Sequence, residues 1–326
     1  MKGLVFQVLF SLKKRQILWL FNEIMRTIKE RKGGGNMKGV ILVNAYKIYD
    51  SVAHQIRRLQ EEFLKKQIVV DVWNNEHPPV YIQNANMHNE LSEYDFVINL
   101  DKDQYIVQLL EKAGMKVFNC AKSLVLCDDK MLTYISLTRE NIAMPKTIAA
   151  PLCYHNHANE NWLHFLTSEL SFPMVAKECF GSLGAQVYLI HNWEELCEKE
   201  EQLRMKPHLY QEYIASSYGR DVRVIVIGGK AFAWMERQST GDFRSNLAQG
   251  GSMKEISLAP SFQEMAEKVA RVLELDYCGI DLLYGKQGEP ILCEVNSNAF
   301  FLGIEKLTGK NVAGEWVEQI LKKIKN

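Results

Sequence analysis

The chain has 326 residues, 47% of them hydrophobic and 24% charged, with Lys+Arg and Asp+Glu both at 39. That length suggests two or three domains and supplies apolar material for more than one core. A formal net charge of zero argues against an extended nucleic-acid surface or an acidic tail, so any positive patch must be local.

The first 36 residues stand apart. "LVFQVLF" is too short and too interrupted for a membrane span, and no small-residue cleavage site follows it. No stable membrane insertion is therefore expected. "QILWLFNEIMRTIKERK" has the spacing of a basic amphipathic helix, which leaves a membrane-surface segment as one reading. The other starts from "KGGGN" and a second methionine, Met37. Lys-Gly-Gly-Gly-Asn can be encoded by a purine-rich run of the kind that precedes a bacterial start codon. On that reading translation begins at Met37, and residues 1–36 are a non-native or disordered extension.

From Met37 strands and helices alternate. Apolar strands are expected at 39–44, 68–73, 95–100 and 116–119, with helices at 51–67 and at 104–114, the latter closed by Gly114. Strands separated by helices imply a parallel sheet covered on both faces, an α/β domain over 37–127. Its first strand lacks a Gly-x-Gly-x-x-Gly turn, which argues against a dinucleotide fold.

The remainder, 128–326, reads as α+β. A helix over 128–142 opens on acidic residues, which suits the helix dipole. Strands at 172–178 and 187–190 form a hairpin around "CFGSLGAQ", a helix follows at 192–204, and 208–214 is a strand. A long hairpin over 221–238 turns at Gly228-Gly229. A helix at 261–275, strands at 278–285 and 291–297 joined by "KQGEP", and a closing helix at 312–324 complete the chain.

The seven cysteines, at 120, 127, 153, 179, 197, 278 and 293, are odd in number, scattered, and form no Cys-x-x-Cys pair. They read as reduced thiols in a cytoplasmic protein rather than a disulfide framework or a zinc site. His155 and His157 form a His-x-His in a polar stretch, which reads as a solvated loop before a metal pair.

The chemistry concentrates near the C-terminal end. In "ILCEVNS" side chains alternate faces, so Glu294 and Asn296 share one face and Cys293 and Val295 the other. If this strand pairs with "CGIDLLYG", Asp281 joins Glu294 and Asn296. Two adjacent carboxylates repel unless a cation separates them. Oxygen donors without His or Cys point to magnesium or manganese, which completes its shell with water and phosphate oxygens. A solvent-facing sheet would display the same residues with no ligand. Two further features weigh against that. Lys177 is centred on the apolar strand "PMVAKE", where an ammonium needs an anion, and "FGSLGAQ" follows with backbone N–H groups able to turn toward phosphate. In "GDFRSNLAQGG", Arg244 and Asn246 share a face if the segment is extended, and a planar guanidinium clamps phosphate.

Taken in order, "DDKMLTYISLTRENIAMPKT", "FPMVAKECFGSLGAQVYLI", "YQEYI", "GRDVRVIVIGGK", "DFRSNLAQGGS", "YCGIDLL", "CEVNSN" and "GIEKLTGKNVAG" resemble the ATP-grasp ligases, and within them the RimK-like branch of the ribosomal-protein glutamate ligase. The resemblance implies an α/β N-terminal domain followed by an α+β ATP-grasp fold. Its two subdomains, 128–214 with the glycine loop and 215–326 with the metal residues, would clasp ATP. It implies that Lys177 and Lys130 bind the nucleotide phosphates, that Glu212 and Tyr213 offer backbone groups to adenine, and that Asp221 approaches the ribose or adenine side. Arg244, Ser245 and Asn246 would contact nucleotide and the developing acyl phosphate, with Arg244 catalytic, and Asp281, Glu294 and Asn296 would hold two magnesium or manganese ions.

The implied reaction is an amide ligation. ATP activates a carboxylate as an acyl phosphate, and an amine, expected to be an amino acid such as glutamate, attacks it. The carboxylate acceptor is a small molecule or peptide, and a homo-oligomer stays open. The alternatives are a D-alanine-type dipeptide ligase and a non-catalytic ATP-binding regulator. One departure touches the acceptor: where the RimK-like branch places Pro-Gly after its metal asparagine, this chain has Ala299 and Phe300. Phe300 and Phe301 either line an apolar or aromatic acceptor site or pack against the last helix.

Overall fold

The computed structural model describes residues 37–46, 49–182, 184–239, 241–245 and 251–325; the expectations for residues 1–36 and for Asn246 lie outside them. The chain begins with β1 (Lys38–Val43), α1 (Asp50–Lys65), β2 (Val69–Asn74), a hairpin of β3 (Val80–Gln83) and β4 (Asn86–Asn89), β5 (Phe96–Asn99), α2 (Gln104–Lys112) and β6 (Val117–Phe118). The four longer-range strands form a parallel sheet in the order β2-β1-β5-β6. Ile56, Leu59 and Phe63 form the buried stripe that lays α1 on this sheet. The Asp103 carboxylate caps α2, accepting from Tyr105 N at 2.9 Å and Ile106 N at 3.1 Å.

The expected helix over 128–142 is shorter, α4 (Lys130–Ser136), and a separate helix, α3 (Ala121–Asp128), runs up to its start. Asp129 between them takes extended backbone angles and caps α4, accepting from Met131 N and Leu132 N. A short carboxylate that can satisfy two orphan N–H groups competes with helix continuation, so the chain breaks there.

Next come β7 (Thr147–Ala149), α5 (Glu160–Glu169), β8 (Met174–Glu178), β9 (Val187–Ile190), α6 (Trp193–Leu203) and β10 (His208–Glu212), whose strands form an antiparallel sheet, β7-β10-β8-β9. The chain closes with β11 (Arg220–Ile227), β12 (Lys230–Gln238), β13 (Ser252–Lys254), α7 (Pro260–Val272), β14 (Tyr277–Tyr284), β15 (Pro290–Asn296), α8 (Leu302–Thr308) and α9 (Val312–Lys325). These strands make a five-stranded antiparallel sheet, β13-β12-β11-β14-β15. Gly228 and Gly229, at φ 57° and 77°, form the tight turn between β11 and β12.

One face of this sheet packs Val222, Val224, Val226, Ile280 and Leu282 against α7. The other packs Ile225, Ile227, Met235 and Tyr277 against α9 and, through a continuous core, against Phe63 of α1 and Phe96 of the first sheet. Asn119 ties the two sheets together by hydrogen bonds. Its Nδ2 donates to the carbonyls of Tyr277 and Ser297 at 2.7 Å each, and its Oδ1 accepts from Asp276 N and Tyr277 N. All seven cysteines are free. His155 and His157 lie exposed between β7 and α5. Among the described residues no helix is long and apolar enough to cross a membrane.

Two predictions follow from this packing. Asn119→Ala strands two donors and two acceptors in the core and should lower unfolding free energy by at least about 2 kcal/mol in urea denaturation. The second concerns pH. The His54 ring on α1 meets Phe301 edge-on at 6.0 Å, and its Nδ1 takes a hydrogen from Arg57. Burial first, and then Arg57, hold its pKa below the ordinary value of 6.5. The unfolded chain therefore takes up this proton at higher pH than the fold does. The neutral-ring stability is complete above the ordinary histidine range and declines as pH falls below it. Between about pH 7.5 and about pH 5.5 the melting temperature of the wild type should drop further than that of His54→Gln.

Candidate active site

The alternation that builds the five-stranded sheet also builds a site. On β11 the odd-numbered residues share a face: Ile225 and Ile227 at one end, Asp221 and Arg223 at the other. On β12 the same face carries Met235 and then Arg237, and on β14 it carries Tyr277 and then Asp281. One face is thus apolar at one end and charged at the other. Cross-strand register places Asp221 opposite Arg237, Arg223 opposite Asp281, and Asp281 opposite Glu294.

These groups are neutralised in pairs. Arg223 grips Asp281 bidentately, Nε to Oδ1 at 2.7 Å and Nη2 to Oδ2 at 2.6 Å. Arg237 donates its Nε to Asp221 Oδ1 at 2.8 Å, and its Nη2 also reaches Asp281 Oδ2 at 2.9 Å. Burial pushes the Asp281 carboxyl up, but the two guanidinium groups pull it further down, and its net pKa lies below the usual range. Sequence reasoning missed Arg223 and Arg237. The signal was available for Arg223, a guanidinium in a run of β-branched residues much like Lys177, but not for Arg237, which is flanked by Glu236 and Gln238.

The expected convergence of Asp281, Glu294 and Asn296 is present in the geometry. Asn296 Nδ2 lies 3.4 Å from Asp281 Oδ2, and Asp281 and Glu294 are direct cross-strand neighbours. The repulsion between the carboxylates is relieved by arginines at Asp281 and by Lys130, whose Nζ lies 3.5 Å from Glu294 Oε1. Oδ2 of Asp281 accepts from two guanidinium groups and from Asn296 Nδ2, whereas Oδ1 accepts only from Arg223 Nε and retains a lone pair. Among the described residues no group of three or more His, Cys, Asp or Glu is placed to hold a metal. Two carboxylates and one amide nevertheless match magnesium, which uses one or two carboxylates beside phosphate oxygens and water. The donor set fits.

Cys293 was expected to face away from Glu294. It does not, because a β-bulge separates Asp281 from Leu282 in the β14–β15 register and breaks strict alternation. Cys293 and Glu294 both line a cavity of about 110 Å³ between the two antiparallel sheets. Burial raises the Cys293 thiol to about 11, with Lys177 opposing, so it is neutral at pH 7.

The same cavity gathers Lys130, Lys177, Glu212, Tyr213, Asp221, Arg244, Ser245, Asp281 and Glu294; Asn296 opens onto a neighbouring cavity that Glu294 also lines. Lys177, at the centre of β8, is 8% exposed. Burial opposes its charge, but the Tyr134 phenol, the Cys293 thiol and the Glu294 carboxylate outweigh burial, and its pKa lies above the usual lysine value. Tyr134 donates to the Cys293 carbonyl at 2.6 Å, which fixes α4 against β15. The Glu212 N–H is already donated to the Lys146 carbonyl, so that group is used by the strand itself. The Tyr213 hydroxyl is buried without a hydrogen-bond partner at the cavity wall, its ring edge-on to Phe243.

The condition that would put Arg244 on a shared face, an extended segment, is not met at this residue: the chain bends there, and the Asp242 carboxylate accepts from both the Arg244 backbone N at 2.8 Å and its Nε at 2.9 Å. Its Nη1 donates to the Gly184 carbonyl at 2.6 Å, which fastens the loop between β8 and β9 over the cavity. Phe300 and Phe301 separate: Phe301 is fully buried against α1 and α9, while Phe300 lines the neighbouring cavity.

Residues 127–320 match the model of the RimK-like ATP-grasp domain. The chain is 34% identical over 219 residues to beta-citrylglutamate synthase B of Homo sapiens, covering 67% of this chain and 56% of that protein. It thus spans little more than half the length of that relative. It is 35% identical over 218 residues to a probable alpha-L-glutamate ligase of Halorhodospira halophila, covering 66% of this chain and 70% of that one. A solved structure of the ATP-grasp ligase PsnB complexed with a phosphomimetic variant of its minimal precursor, Mg and ADP aligns with a TM-score of 0.64 at 15% identity. It covers 89% of this chain and 99% of that one, a likeness of fold.

The paired charges yield a stability prediction. Arg237→Met leaves Asp221 and Asp281 buried with half their compensation and should cost about 3–5 kcal/mol by chemical denaturation. Adding Asp221→Asn to that variant should recover part of the loss, since one uncompensated charge is removed with it.

Proposed function

Because the chain belongs to the RimK-like ATP-grasp family, we propose that it is an ATP-dependent ligase that joins a carboxylate to an amino acid through an acyl phosphate. The observation that carries this reading is the shared wall of two cavities. Glu294 borders both the lysine-lined cavity and the neighbouring one that opens at Asn296. A phosphoryl group held on one side would face an acceptor held on the other.

In this reading Lys177 and Lys130 neutralise the nucleotide phosphates, and the buried Lys177 is kept charged by its surroundings for that task. Glu294, Asn296 and Oδ1 of Asp281 would hold magnesium, which supplies charge neutralisation on the transferring phosphoryl group. Ser245, Tyr213 and Glu212 line the same cavity, and there Ser245 would meet phosphate and Tyr213 and Glu212 would meet adenine. Asp221 acts through Arg237 rather than on the nucleotide, since its carboxylate is occupied by that guanidinium. Arg244 holds the glycine loop down through Gly184 and so excludes water from the acyl phosphate. The amine then attacks the acyl carbon, and phosphate leaves.

Both named relatives carry glutamate in their names, and glutamate is the proposed amine donor. The chain's free thiols suit a cytoplasmic setting. Phosphate release with magnesium, ATP, glutamate and a panel of carboxylates tests the proposal, and release should require the substrate pair. Glu294→Ala should lower kcat at least about 100-fold while its melting temperature stays near that of the wild type. Substrate-dependent turnover surviving in that variant would remove Glu294 from the site. Tight nucleotide binding with no turnover on any pair would favour a regulator.

A further inference from the structure

The neighbouring cavity has a volume of about 360 Å³ and lies where three strands end. Asn44 follows β1, Leu100 to Lys102 follow β5, and Asn296, Asn298, Ala299 and Phe300 end or follow β15. The parallel sheet runs β2-β1-β5-β6, so the chain leaves β1 toward one neighbour and later returns to its other side. The crevice at the carboxyl ends of β1 and β5 is the place where open α/β sheets take ligands. The floor is rigid. Asn44 Nδ2 and Asn75 Nδ2 donate to the two oxygens of Asp101, Asn298 Nδ2 donates to the Leu100 carbonyl at 2.7 Å, and Gln55 Nε2 donates to the Ala299 carbonyl at 3.0 Å. Oδ1 of Asn298 is buried and has no partner.

The walls differ from the floor in chemistry. Arg223 borders the cavity, and because its Nε and Nη2 serve Asp281, Nη1 remains for an entering carboxylate. Tyr46, Tyr49 and Phe300 supply aromatic surface, and the two tyrosines are 94% and 47% exposed. Ala299 fits tightly beneath: a Cβ built on Gly279 would lie 2.6 Å from the Ala299 Cβ, so the turn is pressed onto β14. With Ala299 and Phe301 both buried, Phe300 between them is directed to the cavity.

On the ligase reading above, the geometry points to Phe300, with Tyr46 and Tyr49, as a specificity wall that selects an acceptor carrying an aromatic group beside its carboxylate. An aromatic face offers area that a small aliphatic acid cannot use, and stacked rings add to simple burial.

The test compares two acids that share their carboxylates. N-benzoylaspartate and N-acetylaspartate are titrated by calorimetry into full-length protein saturated with magnesium and a non-hydrolysable ATP analogue. The wild type should bind the benzoyl compound at least tenfold more tightly. Phe300→Gly should reduce that preference to threefold or less, and Phe300→Tyr should retain it. Circular dichroism melting identifies a Phe300→Gly protein that has not folded, and Phe300→Ala then takes its place. Equal binding of the two acids, a preference for the acetyl compound, binding of neither, or a benzoyl preference that survives loss of the ring would each overturn the proposal. The nucleotide titration that precedes the acids reports on the ligase reading by itself: no heat with magnesium nucleotide defeats that reading, whatever the acids do.

Discussion

Everything at this site rests on the cross-strand arrangement of two aspartates and two arginines on one face of the C-terminal sheet. Asp221, Arg223, Arg237 and Asp281 are mutually paired across β11, β12 and β14. Four such charges of one sign, three of them buried, would not be tolerated. Two of each sign, in bidentate geometry, are. The network sums to zero, and so the carboxylate of Asp281 can sit 3% exposed beside a lysine-lined cavity. It also holds three strands in register, because a one-residue slip would send every one of these side chains to the opposite, apolar face.

From that constraint the division of labour follows. β15 lies beyond β14 at the sheet edge and carries Glu294 and Asn296 past the arginine network. The bulge at this point turns Cys293 and Glu294 toward the same cavity. Glu294 therefore borders two spaces, one lined by lysines and the other by amides, aromatics and a guanidinium. The first sheet contributes the second space through the ends of β1 and β5, and Asn119 with the shared apolar core keeps the two sheets from sliding apart.

Strong periodic elements were legible beforehand. The strand ending near Val43, α1, the β8–β9 hairpin, the glycine turn between β11 and β12, and α9 all carry a clear period of 2 or 3.6, or a turn residue with one conformation. What escaped were short elements without such a period: the β3–β4 hairpin, α3, β7, α5, β13 and α8. Their residues are positioned by neighbours rather than by their own pattern. The break at Asp129 escaped for a different reason. Acidic residues at a helix start look alike whether they open one helix or cap a second.

Alternation alone determined that Asp281, Glu294 and Asn296 could share a face, because side-chain direction in a strand depends only on parity. Lys177 in an apolar strand likewise announced an anion nearby, because a buried ammonium requires one. Parity could not reveal that arginines from two other strands already neutralise Asp281, since that depends on strand order and register. Nor could it reveal the bulge that turns Cys293 inward, or the separation of Phe300 from Phe301. Those were decided by tertiary packing: Gly279 leaves room for Ala299, Phe301 fills the core, and Phe300 is left facing the cavity.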